Sequence, residues 1–590
     1  MAVTTLMSLQ AHLQQSSLHR SVGNSAPHSD GVRSRAIRGR AHVSVSNNVV
    51  GEERHVKSFR DRGSSFGDFC LNVATRIRHG TYQCRATPLE EETPSLSSVG
   101  VEEETELREP LVPEDKKDKD NIDFDWNAVL LPFLFPAVGG LLFGYDIGAT
   151  SGAAVSIVSP EHSGTDWYNL SSLQTGLVVS GSLYGALAGS VLAFGIADFL
   201  GRRKELLLAA FLYSVGALVT GFAPNLAAVV VGRLIFGLGI GLSMHAAPMY
   251  IAETSPSQIR GTLISLKEAF IVGGILLGYV VGNNQVDAIG GWRVMFGFGA
   301  PIAALMGAGM WWLPPSPRWL LLRAVQGKGN VKALKQEATS VLQRLRGPSY
   351  TQESAEAECV QQWTGLKAAC EGEDADVSFS ELFQGSNAKA LFVGTGLVAF
   401  QQFTGQPSVL YYAAPILQSA GFAAASDATR LAVLLGFFKL IMTAVAVLNV
   451  DKLGRRPLLL GGVAGITISL ATLAAYFSFL QDYPYLAVGS LLLYVGSYQI
   501  SFGPISWLMV SEIFPLRTRG RALGVTTLVN FGSNALVALA FAPLQDLVGE
   551  SYTFVIFGII GTLALTFIYT SVPETKGLSL EQISAKLEES

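Results

Sequence analysis

Asp198-Phe199-Leu200-Gly201-Arg202-Arg203 returns further along the chain as Asp451-Lys452-Leu453-Gly454-Arg455-Arg456. Each copy lies between two long apolar runs. A second pair follows the same rule: Glu253 to Arg260-Gly261 matches Glu512 to Arg519-Gly520, with one seven-residue step from Glu to Arg. Pro315–Arg318 loosely echoes Pro573–Lys576. All these separations are roughly 250–260 residues. A chain that repeats its loops at one distance also repeats the elements between them.

Those elements are apolar runs of about twenty residues, long enough to cross a bilayer as helices. They fall at about 128–150, 171–194, 206–222, 226–249, 264–284 and 294–313, then 388–412, 430–450, 457–478, 485–510, 521–542 and 553–572. The predicted fold is all-α: twelve membrane spans in two pseudo-symmetric six-helix halves, 126–313 and 388–573, with a tail at 574–590. The loop 314–387 is charged, and Asn330 to Arg346 reads as helix. Lys and Arg concentrate in alternate loops, so both termini and the basic loops share one face, cytosol or its topological equivalent.

Composition agrees. The 590 residues are 49% hydrophobic and 15% charged; soluble domains are nearer 25% charged. Four cysteines, none with metal-ligand spacing, give no disulfide framework or zinc site. The CxxC, HExxH and GxxxxGK[ST] patterns are absent. No enzyme chemistry, cofactor, metal or nucleic-acid partner is expected.

The first 86 residues are of another kind: rich in Ser, Arg and His, poor in acids, without an apolar core. They read as an organelle transit peptide, plastid more than mitochondrial. Residues 87–125 turn acidic (Glu90-Glu91-Glu92, Glu102-Glu103-Glu104) and read as a disordered linker. The expected address is the plastid envelope. Glu109-Pro110-Leu111-Val112 loosely resembles an acidic sorting signal and keeps a vacuolar membrane as the alternative.

Asp146 lies inside the first apolar run. A carboxylate at membrane depth costs about 2.5–3.5 kcal/mol on insertion scales and marks an ion or proton site. Arg233, in the fourth run, is as costly. A neighbouring guanidinium favours the charged carboxylate, and burial favours the neutral acid. His245, in the same run as Arg233, reads as a helix-packing residue.

Six motifs in order resemble the sugar porter family of the major facilitator superfamily: Gly139–Gly148 (GGLLFGYDIG), Asp198–Lys204 (DFLGRRK), Ala252–Gly261 (AETSPSQIRG), Pro314–Leu320 (PPSPRWL), Gln401–Tyr412 (QQFTGQPSVLYY) and Pro573–Gly577 (PETKG). The likeness runs from about Asp125 to the C-terminus. It implies proton-coupled monosaccharide transport by alternating access, by a protein that acts as a monomer. It places Asp146 with Arg233 as the proton-coupling pair. Related passive carriers have an amide in place of Asp146, so its presence favours symport. Sugar contacts are implied at Gln401, Gln402, Tyr411, Trp507 and Asn530, with Phe143 as a wall. Asp198, Arg202, Arg203, Glu253, Arg260, Asp451, Arg455, Arg456, Glu512 and Arg519 are implied as a gate, with the arginines meeting groups of the opposite half in one state.

The chain departs from the family at the cavity. Lys267-Glu268 stands where Gln is usual, Gly405-Gln406-Pro407 where Gly-Ile-Asn is usual, Lys439 where Asn is usual, and Phe531 where a second Trp is usual. Pro407 is expected to perturb span 7. Glu268 and Lys439 are expected to face each other across the cavity, as an ion pair or as ligand contacts, since an unpaired charge there is costly.

Overall fold

The computed structural model describes residues 126–590 except 257–258, 349, 372–378, 516–517, 577–581 and 584–590. The predicted leader, 1–86, and linker, 87–125, lie outside these residues, as do the side chains of Asp198 and Asp451. The described residues form helices and no strand.

The first half contains α1 (Trp126–Val158), α2 (Ser172–Leu200), α3 (Arg202–Gly221), α4 (Leu226–Thr254) and α5 (Arg260–Gln285), then a sixth span in two pieces, α6 (Gly291–Gly297) and α7 (Gly299–Trp312). Three helices fill the central loop: α8 (Pro317–Val325), α9 (Val331–Arg346) and α10 (Gln352–Glu371). Asn330 starts α9 as predicted, because its side chain accepts from the backbone N–H of Lys332 and Ala333.

The second half contains a seventh span in three pieces, α11 (Gly385–Phe403), α12 (Gln406–Tyr411) and α13 (Ala413–Ser419). Then come α14 (Ala425–Leu453), α15 (Arg455–Phe479), α16 (Pro484–Ile500), α17 (Phe502–Ile513), α18 (Arg519–Val548) and α19 (Glu550–Ser571). Among the described residues, 11 segments are long and apolar enough to cross a membrane, the two-piece sixth and tenth spans among them. The twelfth is span 7. Many helices run a turn or more past the apolar stretches, because hydropathy marks only the hydrocarbon-depth part of a span.

The repeated DxxGRR motif makes the same turn twice. Gly201 has φ 76° and ψ 157°, and Gly454 has φ 92° and ψ 157°. Such positive φ suits glycine alone among common residues.

Small residues bring the helices of the first half together. A methyl group on Gly144 would strike the carbonyl of Ile271, and one on Gly148 that of Ile275. From the other side, Gly274 and Gly278 of α5 lie against the backbone of Leu141 and Tyr145. Gly185 and Gly237 do the same between α2 and α4. With no water to exclude between helices, such close approach is a main source of association in a bilayer.

Candidate functional site

The α1–α5 and α2–α4 seams bring α1, α2 and α4 around one point. Asp146 (4% exposed) and Arg233 (1% exposed) meet there in a direct ion pair. The guanidinium is fully engaged. Its Nε donates to the Val178 carbonyl at 2.9 Å, and its Nη2 donates to Val179 O and Ser182 Oγ, each at 3.0 Å. Its face lies 4.8 Å from the ring centre of Phe296. Ser182 closes the triangle by donating its hydroxyl to Asp146 Oδ2 at 2.6 Å. A cavity of about 10 Å³ borders the pair, lined partly by Tyr145, Ala149, Thr220 and Phe296. That is the room one water needs.

Gln401 and Gln402 end α11, next to the break at Gly405 (φ 95°). Pro407 is the second residue of α12, in the first turn, where its missing N–H leaves no helical bond unmade. Gln401 Nε2 donates to the carbonyl of Phe502, at the break of span 10 between α16 and α17, at 2.8 Å. Gln402 Nε2 donates to Asn530 Oδ1 at 2.8 Å. Both glutamines are buried, and neither Oε1 has a hydrogen-bond partner among the described residues. Two buried acceptors beside a helix break suit ligand hydroxyls, which donate.

Tyr411 is buried, with its hydroxyl beside Ser182 and within electrostatic reach of Asp146 and Arg233. The predicted sugar residue therefore stands beside the predicted proton pair. Phe143 meets Phe531 edge-on at 6.3 Å between ring centres, so the wall is shared between α1 and α18. Trp507 packs partly buried against the core of the second half.

The expected direct pair of Glu268 with Lys439 is not formed. Glu268 binds the neighbouring Lys267 at 2.9 Å, and Lys439 Nζ donates to Gln499 Oε1 at 2.7 Å. Each charge takes the partner its own half offers, although the two still interact electrostatically.

Several gate residues have partners within their own half. Arg202 pairs with Glu253 at 3.4 Å, and Ser316 donates to the same Glu253. In the second half, Arg455 pairs with Glu512 at 3.1 Å, and Thr575 donates to Glu512 at 2.6 Å. The three repeated motifs of each half thus converge on one carboxylate, which explains why they repeat together. Arg203 caps the carbonyls of Met310 and Trp311, and Arg456 that of Tyr569. Arg519 bonds the carbonyl of Phe514, and Arg260 forms no ion pair among the described residues. At the opposite end, hydrogen bonds join the halves. Tyr279 donates to Leu410 O at 2.8 Å, Ala414 N to Ser151 Oγ at 2.9 Å, and Thr429 to Asn283 Oδ1 at 3.2 Å.

In the tail, burial alone would raise the Glu574 carboxyl. Backbone N–H groups of Lys576, Arg455, Arg456 and Thr575 outweigh it and hold that carboxyl below the usual range. Glu574 thereby caps the start of α15.

Sequence reasoning missed three groups. Ser182 gave no signal, since a serine in an apolar helix is cheap. Gln499 was masked for the same reason. His245 is more than packing: its Nδ1 lies 2.9 Å from Oε1 of the fully buried Glu205.

The sequence model of the family described as "Sugar (and other) transporter" matches residues 133–587. The chain belongs to that family. It is 62% identical over 464 residues to "D-xylose-proton symporter-like 3, chloroplastic" of Arabidopsis thaliana, covering 79% of this chain and 83% of that protein. It is 35% identical over 458 residues to the "D-xylose transporter" of Levilactobacillus brevis, covering 77% and 95%. Among solved structures, the partially occluded inward-open xylose transporter XylE from E. coli matches with TM-score 0.64 and 28% identity, covering 77% of this chain and all (100%) of that one. The family member is accordingly a major facilitator protein that transports sugars, not an enzyme.

Proposed function

We propose that this transporter is a proton–monosaccharide symporter, acting as a monomer by alternating access, with Asp146 as its proton site. The carrying observation is the sealed Asp146–Arg233–Ser182 triangle with Tyr411 beside it. Protonating Asp146 removes the attraction that holds Arg233 and turns an oxygen that accepted from Ser182 into a donor. Either change loosens α1 against α2 and α4. Tyr411 belongs to the short α12, so the change is felt in the broken span that also carries Gln401 and Gln402. Those amides, with Asn530, Trp507, Phe143 and Glu268, would hold a sugar such as xylose or glucose; the xylose relatives support that class. The Glu253 and Glu512 corners would serve as inner clamps that exchange partners when the halves rock. The chloroplastic relative and the Ser- and Arg-rich leader support a plastid envelope address.

The test is uptake into proteoliposomes across a panel of labelled pentoses and hexoses, with and without a pH gradient. One pH unit should give roughly tenfold accumulation for one coupled proton. Uptake that equilibrates regardless of the gradient would make the protein a passive facilitator.

A further inference from the structure

Lys439, at one of the positions where the chain departs from the family, takes its hydrogen-bond partner from a neighbouring helix. It is 5% exposed on α14. A buried ammonium needs an acceptor, and two are in play. One is Gln499 Oε1, at 2.7 Å. The other is the Glu268 carboxylate on α5 of the opposite half, which interacts electrostatically with both Lys439 and Tyr498. Gln499 holds the ammonium, and the Tyr498 ring, 5.2 Å away, steadies it from the side. Glu268 keeps Lys267 at 2.9 Å and remains 55% exposed.

Gln499 sits just before the break at Ser501, where Gln401 also bonds the carbonyl of Phe502. The residue that restrains Lys439 thus belongs to the same joint that positions a predicted sugar contact. A lysine side chain is long and flexible. Helix α14 packs on α5, where Gly436 meets Leu276 and Tyr279, so without Gln499 the carboxylate within the lysine's electrostatic reach is Glu268, and the two would close on each other across the cavity. A sugar hydroxyl would then have to displace a second cation, instead of donating in a charge-assisted hydrogen bond to a half-exposed carboxylate that Lys267 alone engages.

We infer that Gln499 is a positioning residue of the substrate site: it keeps Lys439 in the second half, so that Glu268 stays open to sugar hydroxyls. This rests on the reading that the sugar binds between the halves.

The test is tracer exchange of D-glucose and D-xylose in proteoliposomes at equal pH on both sides. Gln499→Leu should raise KM about tenfold, the size of one lost charge-assisted hydrogen bond, with maximal rate within about twofold. Adding Lys439→Asn to Gln499→Leu should return KM toward the wild-type value, because no second cation is left to join Lys267 on Glu268. Gln499→Glu, which keeps an acceptor for Lys439, should stay close to wild type and guards against a variant that fails to fold. A wild-type KM in Gln499→Leu, or no rescue by Lys439→Asn, would overturn the inference and leave Gln499 as helix packing. If the wild type exchanges well but Glu268→Gln, Gln401→Ala and Gln402→Ala all keep its KM, the site between the halves is wrong, and the inference falls with it.

Discussion

The two halves repeat each other in sequence but are built differently where it matters. In the first, glycines lock α1 to α5 and α2 to α4 backbone to backbone, and the charged pair sits in that tight packing. In the second, spans 7 and 10 are interrupted, and the amides stand at the interruptions. The contrast separates two tasks. A buried ion pair needs fixed neighbours, since an uncompensated charge there is costly. A site that takes and releases a neutral polyol needs joints that can move.

The contrast can be broken most severely at Arg233. Arg233→Leu leaves Asp146 buried without a cation and should cost about 3–5 kcal/mol, read as a large fall in melting temperature. Adding Asp146→Leu should recover most of it; if it does not, the arginine's other bonds to Val178 and Val179 matter more than the pair. Next comes Gly144→Leu, which drives a side chain into the Ile271 carbonyl and should cost about 3 kcal/mol. On the exposed face of α16 nothing lies within 4 Å of a Cβ at Gly489. Gly489→Leu should therefore change stability by about 0.5 kcal/mol or less. Equal losses at the two glycines would remove the claim that the α1–α5 seam depends on backbone contact. Gly405→Ala forces a Cβ into φ 95° and should cost about 1–2 kcal/mol. Its larger effect should be on exchange rate, since it stiffens the joint of span 7.

The smallest effect is at Glu574. Its carboxyl is held below the usual range in the folded protein, so its contribution is present above the unfolded value of about 4.3 and is lost as pH falls through the folded one. The melting-temperature gap between wild type and Glu574→Gln should be open at neutral pH and close in acid. A gap that widens in acid would mean the cap works without its charge.

Much of this was legible in the chain. Repeated loops and apolar lengths are written locally, so the two halves and their spans could be read directly. Asp146 and Arg233 stood out because charge is rare at membrane depth. What could not be read depends on which helix faces which. Ser182 becomes the third member of the pair only because α2 turns it toward α1. Lys439 prefers Gln499 to Glu268 because α16 offers an acceptor closer than the other half does. The breaks at Gly405 and Ser501 interrupt runs whose hydropathy is continuous. Nor does the sequence say that Arg202 and Arg455 each meet a carboxylate of their own half that also takes a hydroxyl, from Ser316 and Thr575.

The most direct measurement sets Asp146→Asn beside Gln402→Ala in the same proteoliposomes, comparing accumulation under one unit of pH gradient with exchange at equal pH. Asp146→Asn should keep exchange and lose the roughly tenfold accumulation, while Gln402→Ala should lose both together. Accumulation that survives Asp146→Asn would contradict the assignment of the proton to the first half.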